Sequence, residues 1–291
     1  MIRHFILSGA LFLCAAFSIQ AQQTDKKLQA ALQSMVSGFQ GDIGIYVKNL
    51  RTGKTALINA DTVFPTASIV KVPILLGIAD RMNKGELAYD SLLTYKDSLL
   101  YEGSDILGSF KSGEKIALKK VLMLMLTTSD NTASLWLQSL AGTGTRINAI
   151  LDSLGFRDTR VNSRTPGREA NRGQYGWGQT SPREMGMLFE KIYRYEVFSK
   201  TSSERMLRLL GRNFWDEEEA ISVFPPTIEV FSKNGCVNAS RSEAMIVNAS
   251  GNPFVFCIFT KNNKDTRWTR ENEAWTMARK IATYLWEYYN K

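Results

Sequence analysis

Residues 65–76 read PTASIVKVPILL, with Ser68 three positions before Lys71. The apolar run continues through SIVKVPILLGIADRMNKG and stops at Gly85, a pattern that predicts a helix. Residues three apart share one helix face. A serine at such a place has two readings. As a cap it satisfies a free backbone N–H and leaves Lys71 in solvent. As a nucleophile it sits among unpaired N–H groups at the positive end of the helix dipole, where an alkoxide or oxyanion is stabilised. The spacing alone does not choose between them. A second Ser-x-x-Lys, Ser112 to Lys115 in KSGEK, lies in a polar turn-like stretch and reads as surface.

Upstream, TDKKLQAALQSMVSGF places Leu28, Leu32, Met35 and Val36 on one helical face, and Gly38 and Gly41 end it. DIGIYVKNL and KTALINA then flank RTG as a hairpin. From about Leu87 to Leu210 helical patterns dominate, among them LKKVLMLMLTT, NTASLWLQSL, TRINAILDSLG and PREMGMLFEKIYRY. Strand character returns in IEVFSKNGCV, SEAMIVNA and PFVFCIFT. A terminal helix follows, with Trp268, Trp275, Ala278, Ile281, Ala282, Leu285 and Trp286 on its core stripe. Residues 162–182, rich in Gly and Arg, follow neither period and are expected to be a functional or disordered loop.

Strands, a long helical insertion, more strands and a helix imply an α+β fold with an antiparallel sheet covered by helices. Residues 22–61 and 212–291 are expected to form a discontinuous sheet subdomain and residues 62–211 a helical one. The cleft between them is the expected place for a small-molecule site.

Arg3 and His4 precede an apolar run over residues 5–19, and SIQA ends at Ala21. This is the pattern of a secretory signal peptide over residues 1–21; a lipoprotein through Cys14 and an uncleaved anchor are the competing readings. An exported, periplasmic protein follows from the first, with no membrane span in the mature chain, which is expected to be a monomer. The net charge is +8, or +7 with 35 basic against 28 acidic residues once Arg3 is removed. No block of like charge marks a nucleic-acid surface, and the surplus reads as solvated charge. Cys236 and Cys257 remain after cleavage; their spacing fits neither a zinc site nor a redox motif. Both lie in strand-like runs and could be neighbours, which the sequence does not decide.

Two further clusters bear on Ser68. TTSDNTAS holds Ser129, Asp130 and Asn131 between two apolar helical runs, and SKNGCV holds Lys233, Asn234 and Gly235 within a strand. Alone, the first is a helix cap and the second a bulge or a close approach of another backbone. In the order Ser-x-x-Lys, Ser-Asp-Asn, Lys-x-Gly, the chain resembles the penicillin-recognising serine enzymes, in particular class A β-lactamases and the related penicillin-binding proteins. The likeness spans essentially the whole mature chain. The third motif departs from the usual Lys-Thr-Gly or Lys-Ser-Gly, because Asn234 replaces the hydroxyl residue.

The resemblance implies an acyl-enzyme on Ser68, with Lys71 as proton acceptor, Ser129 as relay to the departing nitrogen and Lys233 polarising Ser129. Asn131 would orient Lys71 and the substrate amide, and Asp130 would fix the loop. The backbone N–H groups of Ser68 and Cys236 would form an oxyanion hole beside Gly235. Lys233, Asn234 and Arg241 would meet a substrate carboxylate; Arg241 reads equally as a surface charge. A lysine base must be neutral, and bringing its pKa from about 10.4 to about 7 takes roughly 4–5 kcal/mol. The only histidine, His4, lies in the signal, so a Ser-His-Asp triad is excluded from the mature chain. No metal or cofactor is implied.

One part of the family pattern is missing. Class A enzymes carry Glu-x-x-x-Asn on an Ω-loop to activate the deacylating water. In residues 162–182 the only acid is Glu169, followed four residues on by Gly173, and the spacing to TSPREM puts the expected glutamate nearer Thr165. Glu184 opens a helix and is expected to stabilise its N-terminus. Glu169 is the one candidate base. Three functions therefore stand: a β-lactam hydrolase, a penicillin-binding-like enzyme acting on D-Ala-D-Ala peptides or a related amide or ester, and a non-turnover sensor or binding module of β-lactams or peptidoglycan.

Overall fold

The computed structural model describes residues 23–211 and 213–290. The signal-peptide expectation falls outside them. Helix α1 (Lys26–Met35) leads into strands β1 (Asp42–Asn49), β2 (Thr55–Ile58) and β3 (Phe64–Pro65). A 3-10 turn (Ala67–Val70) runs into α2 (Lys71–Asn83), followed by β4 (Leu92–Thr94), β5 (Lys115–Ala117), α3 (Leu118–Thr127), α4 (Asn131–Leu140) and α5 (Thr143–Ser153). Next come β6 (Arg160–Val161), α6 (Glu169–Tyr175), β7 (Gly178–Thr180), α7 (Pro182–Tyr193) and α8 (Lys200–Leu210). Strands β8 (Val230–Val237), β9 (Ser240–Val247) and β10 (Phe254–Lys261) precede the closing helix α9 (Glu273–Tyr289).

The main sheet has the order β2-β1-β10-β9-β8 and is antiparallel throughout. Strand β10 and the second half of β9 are apolar on both faces because both are covered. Phe254, Phe256 and Ile258 of β10 pack with Leu28 and Leu32 of α1 and Ile281 and Leu285 of α9. The alternate residues Val255, Cys257 and Phe259 join the core built from α2, α3, α7 and α8. Asn49 Oδ1 accepts from Arg51 N at 3.0 Å and Thr52 N at 2.8 Å, an Asx turn that sets the β1–β2 hairpin. Helix α2 is buried from Lys71 to Asp80. Pro73 fits there because the first-turn amides have no partner inside the helix. Gly77 lets α5 approach, since a Cβ there would lie 2.8 Å from Ile147 and 2.9 Å from Ala141.

Two expectations are corrected. Residues 162–182 are ordered locally: they contain α6 and β7, and side-chain bonds replace the missing periodicity. Asn162 Oδ1 accepts from Arg168 Nε at 3.0 Å, and Gln179 Oε1 accepts from Arg168 Nη2 at 2.8 Å. Trp268 precedes α9 and is 58% exposed. The sequence left the pairing of Cys236 and Cys257 open; they are free thiols on β8 and β10, with β9 between them. Glu184 also has a broader role than expected. Besides opening α7, its carboxylate accepts from the amides of Arg157, Asp158 and Thr159 at 2.6, 3.0 and 2.7 Å. Among the described residues no helix is long and apolar enough to cross a membrane.

Candidate active site

Ser68 sits in the 3-10 turn, one turn before α2, and not in the α-helix itself. Ala67 takes a left-handed φ of 43°, which turns the chain out of β3. Lys71 is the first residue of α2, so its side chain stands beside Ser68 on the inner face. Its Nζ lies 3.0 Å from Ser68 Oγ, 2.9 Å from Ser129 Oγ and 3.0 Å from Asn131 Oδ1. Nζ also donates to the Ser129 carbonyl. Ser129 reaches both ways because its φ of 59° turns its carbonyl inward between α3 and α4.

Asp130 holds that turn in place. Its Oδ1 accepts from Ala133 N at 2.7 Å as the cap of α4, and its Oδ2 accepts from Ile106 N and Leu107 N at 2.6 and 2.8 Å. Asn131 donates from Nδ2 to the Glu102 carbonyl at 3.1 Å, which leaves its Oδ1 for Lys71.

The third motif arrives on edge strand β8. A Cβ on Gly235 would meet Thr66 O at 2.4 Å and Ser68 N at 2.9 Å, so only glycine allows β8 this close to the serine turn. Ser68 and Cys236 line one cavity of about 500 Å³, with Asn131, Gln174, Tyr175 and Trp177 on its walls. A larger groove of about 1540 Å³ along α8 and residues 221–231 holds none of the motif residues.

Lys71 has no solvent exposure. Burial drives its pKa well below the usual lysine value, the nearby Lys233 lowers it further, and Asp130 opposes both. Lys233 is equally buried. Burial lowers it to about 8, against the opposing pull of Cys236, Glu219 and Glu243. Burial also raises the Cys236 thiol to about 12, so that sulfur is not a competing nucleophile.

Four expected roles meet a different geometry. Lys233 donates to the Asn234 carbonyl and to Asn234 Oδ1, both at 2.9 Å, and not to Ser129. The Asn234 amide is turned away from the cavity, donating to Glu219 Oε1 at 2.7 Å and to the Trp215 carbonyl at 3.2 Å. Arg241 caps the carbonyls of Val237, Asn238 and Ser240 and stacks on Trp268 and Trp275, 4.2 and 4.8 Å from the ring centroids. Glu169 is exposed at the start of α6, where its Oε1 accepts from Gly167 N at 3.1 Å. Neither Arg241 nor Glu169 lines the cavity around Ser68. Among the described residues lining it there is no Asp or Glu.

Sequence reading missed Trp177, which packs edge-on against Tyr101 at 5.1 Å, and the acids behind Lys233. Glu243, an acid inside the apolar strand run SEAMIV, was the available signal for the second.

A serine hydroxyl 3.0 Å from a fully buried lysine, on the wall of a cavity, has the geometry that serine acyl transfer requires. The family model "Beta-lactamase enzyme family" matches residues 26–289, and the chain belongs to that family. Among its relatives, Beta-lactamase VEB-1 of Pseudomonas aeruginosa is 23% identical over 92% of this chain and 91% of its own length. Extended-spectrum beta-lactamase PER-1, also of Pseudomonas aeruginosa, is 19% identical over 94% of this chain and 92% of its own. A PBP-A mutant solved as its acyl-enzyme complex with penicillin G shares the fold, with a TM-score of 0.81 and 24% identity over 92% of this chain and 98% of that one. The protein is a serine β-lactamase-like hydrolase with an α+β fold.

Proposed function

We propose that the protein opens the β-lactam amide by acyl transfer to Ser68. The contact of 3.0 Å between Ser68 Oγ and the buried Lys71 Nζ carries this reading. A neutral Lys71 accepts the serine proton as Oγ bonds to the lactam carbonyl carbon. The carbonyl oxygen becomes an oxyanion beside the amides of Ser68 and Cys236, an interaction typically worth about 3–4 kcal/mol per donor. As the C–N bond breaks, Ser129 passes a proton to the nitrogen, drawing on Lys71, whose Nζ it already meets. The product is an ester on Ser68.

Release of that ester needs an activated water. The lack of a carboxylate among the described residues lining the cavity favours a second reading, in which the ester is long-lived and the protein behaves as a penicillin-binding protein. The PBP-A acyl-enzyme is a precedent for the fold, not for this chain. We read the chain as exported after loss of residues 1–21 and as a monomer acting in the periplasm.

Intact-mass spectrometry after addition of penicillin G tests both. A mass gain of one penicillin that maps to Ser68 and vanishes in Ser68→Ala is expected. Decay of the adduct with product release supports hydrolysis, and persistence over hours supports the penicillin-binding reading. No adduct on Ser68 would overturn the assignment.

A further inference from the structure

Lys233 is held from behind by acids that no motif contains. Residues 213–219 form a strap between the two lobes. Phe214 N donates to the Thr127 carbonyl at 2.9 Å and Trp215 Nε1 to the Thr128 carbonyl at 2.8 Å, at the end of α3. At its other end, Glu219 Oε1 accepts from Asn234 Nδ2 at 2.7 Å, and Asn234 Oδ1 accepts from Lys233 Nζ at 2.9 Å. Glu219, Asn234 and Lys233 are all buried. The orientation of the Asn234 amide is fixed by this chain of bonds: its NH₂ must face the carboxylate and its oxygen must face the ammonium.

We infer that Glu219 is a positioning residue, holding Lys233 through Asn234 as a fixed ammonium behind the serine–lysine pair. The inference rests on acylation at Ser68 as proposed above. A buried ammonium with only neutral partners would lose its proton. Glu219 supplies the negative charge that prevents this. Lys233, kept charged, in turn opposes a second ammonium at Lys71 and so favours the neutral base.

The groups facing Lys233 are Lys71 on α2, Cys236 on β8, Glu243 on β9 and Glu219 on the strap; Asp130 bears on Lys71 from the α3–α4 turn. Glu243 accepts from Ala220 N at 2.7 Å and Ile221 N at 3.3 Å, and so fixes the strap just past Glu219. Burial and the neighbouring Glu219 raise Glu243 to about 8, and burial raises Glu219 as well, against the opposing bond from Asn234 and the charge of Lys233.

The test compares Glu219→Gln, which keeps an acceptor for Asn234 but removes the charge, with Glu219→Ala, which removes both. The rate of Ser68 acylation by penicillin G is measured from pH 5 to 10 in the full mature chain. Wild type should rise as Lys71 loses its proton and fall as Lys233 loses its own near pH 8, because a neutral Lys233 no longer attracts the penicillin carboxylate. Glu219→Gln should move the falling limb down by about 1 pH unit. Glu219→Ala should move it as far and also lower the plateau. The ¹⁵Nζ chemical shift of Lys233 gives the same answer without any β-lactam, and should show the ammonium lost at lower pH in both variants. An unchanged falling limb and an unchanged Lys233 titration in Glu219→Gln would overturn the inference. A wild type that forms no adduct, yet shows the Lys233 shift moving on substitution, would sink the proposed function and leave the positioning role standing.

Discussion

Gly235 lies directly against Ser68: a methyl group on residue 235 would stand 2.9 Å from the Ser68 amide nitrogen and 2.4 Å from the Thr66 carbonyl. Both obstacles are backbone, so no rotamer relieves them. Gly235→Ala must push β8 off the serine turn, separating the Ser68 and Cys236 amides. Acylation by penicillin G should fall at least about 10²-fold, the loss typical of one oxyanion donor. Stability should fall by about 1–3 kcal/mol. Stopped-flow acylation and urea unfolding read the two effects.

Lys71 gives stability a pH dependence that can be isolated. Its native pKa is depressed, so between that value and the unfolded value near 10.4 the unfolded chain binds the extra proton. Stability contributed at this site therefore rises with pH across that window, by about 1.4 kcal/mol per pH unit. It is flat below the native pKa and again above about 10.4. Lys71→Met removes the term. The difference in unfolding free energy, wild type minus Met variant, should grow toward alkaline pH in urea titrations, and a constant difference would contradict a depressed Lys71. The same variant should lose about 10²–10⁴-fold in acylation.

Asp130 binds three backbone amides while having no exposure. Asp130→Ala leaves the amides of Ile106, Leu107 and Ala133 without their acceptor. Each buried orphan costs about 1–3 kcal/mol. A loss of at least about 3 kcal/mol in urea unfolding is expected. Asp130→Asn keeps one acceptor oxygen and should recover part of it. If Asp130→Ala unfolds at the wild-type urea midpoint, the carboxylate does not organise the turn.

Arg241 separates two roles for a cation on β9. Its guanidinium is committed to carbonyls and to Trp268 and Trp275. Arg241→Ala should destabilise the β8–β9 turn by about 1–3 kcal/mol through lost stacking and capping. The acylation rate ratio between penicillin G and its methyl ester should stay unchanged. A selective loss for the free acid would return Arg241 to the substrate site.

The parts of the fold that were legible in the sequence are those where a local rule and the tertiary packing agree. Leu28 and Leu32 of α1, the apolar runs of β8 to β10 and the stripe of α9 bury the faces their periods announce. Ser68, Lys71, Ser129 and Asn131 could be gathered because three motifs in a fixed order carry more information than any one spacing. Trp268 followed the helical period by chance, since a stripe does not mark where a helix begins; Asn272, capping Ala274 and Trp275, does. Residues 162–182 looked structureless because their order rests on long side-chain bonds such as Arg168 to Gln179, which have no periodic signature. Arg241 and Glu169 were misplaced because position along a strand or loop does not fix where a long charged side chain points. The acids behind Lys233 lie 14 residues before it, at Glu219, and one strand later, at Glu243; only the folded sheet brings them together.

The separation of Cys236 from Cys257 by a whole strand has a practical corollary for making this protein. Nothing among the described residues ties the chain covalently across its sheet, so its native state is reached by packing alone. Expression in a reducing compartment, or refolding in millimolar thiol, should yield the same active species as folding in oxidising surroundings. Reagents that scramble disulfides should leave it untouched.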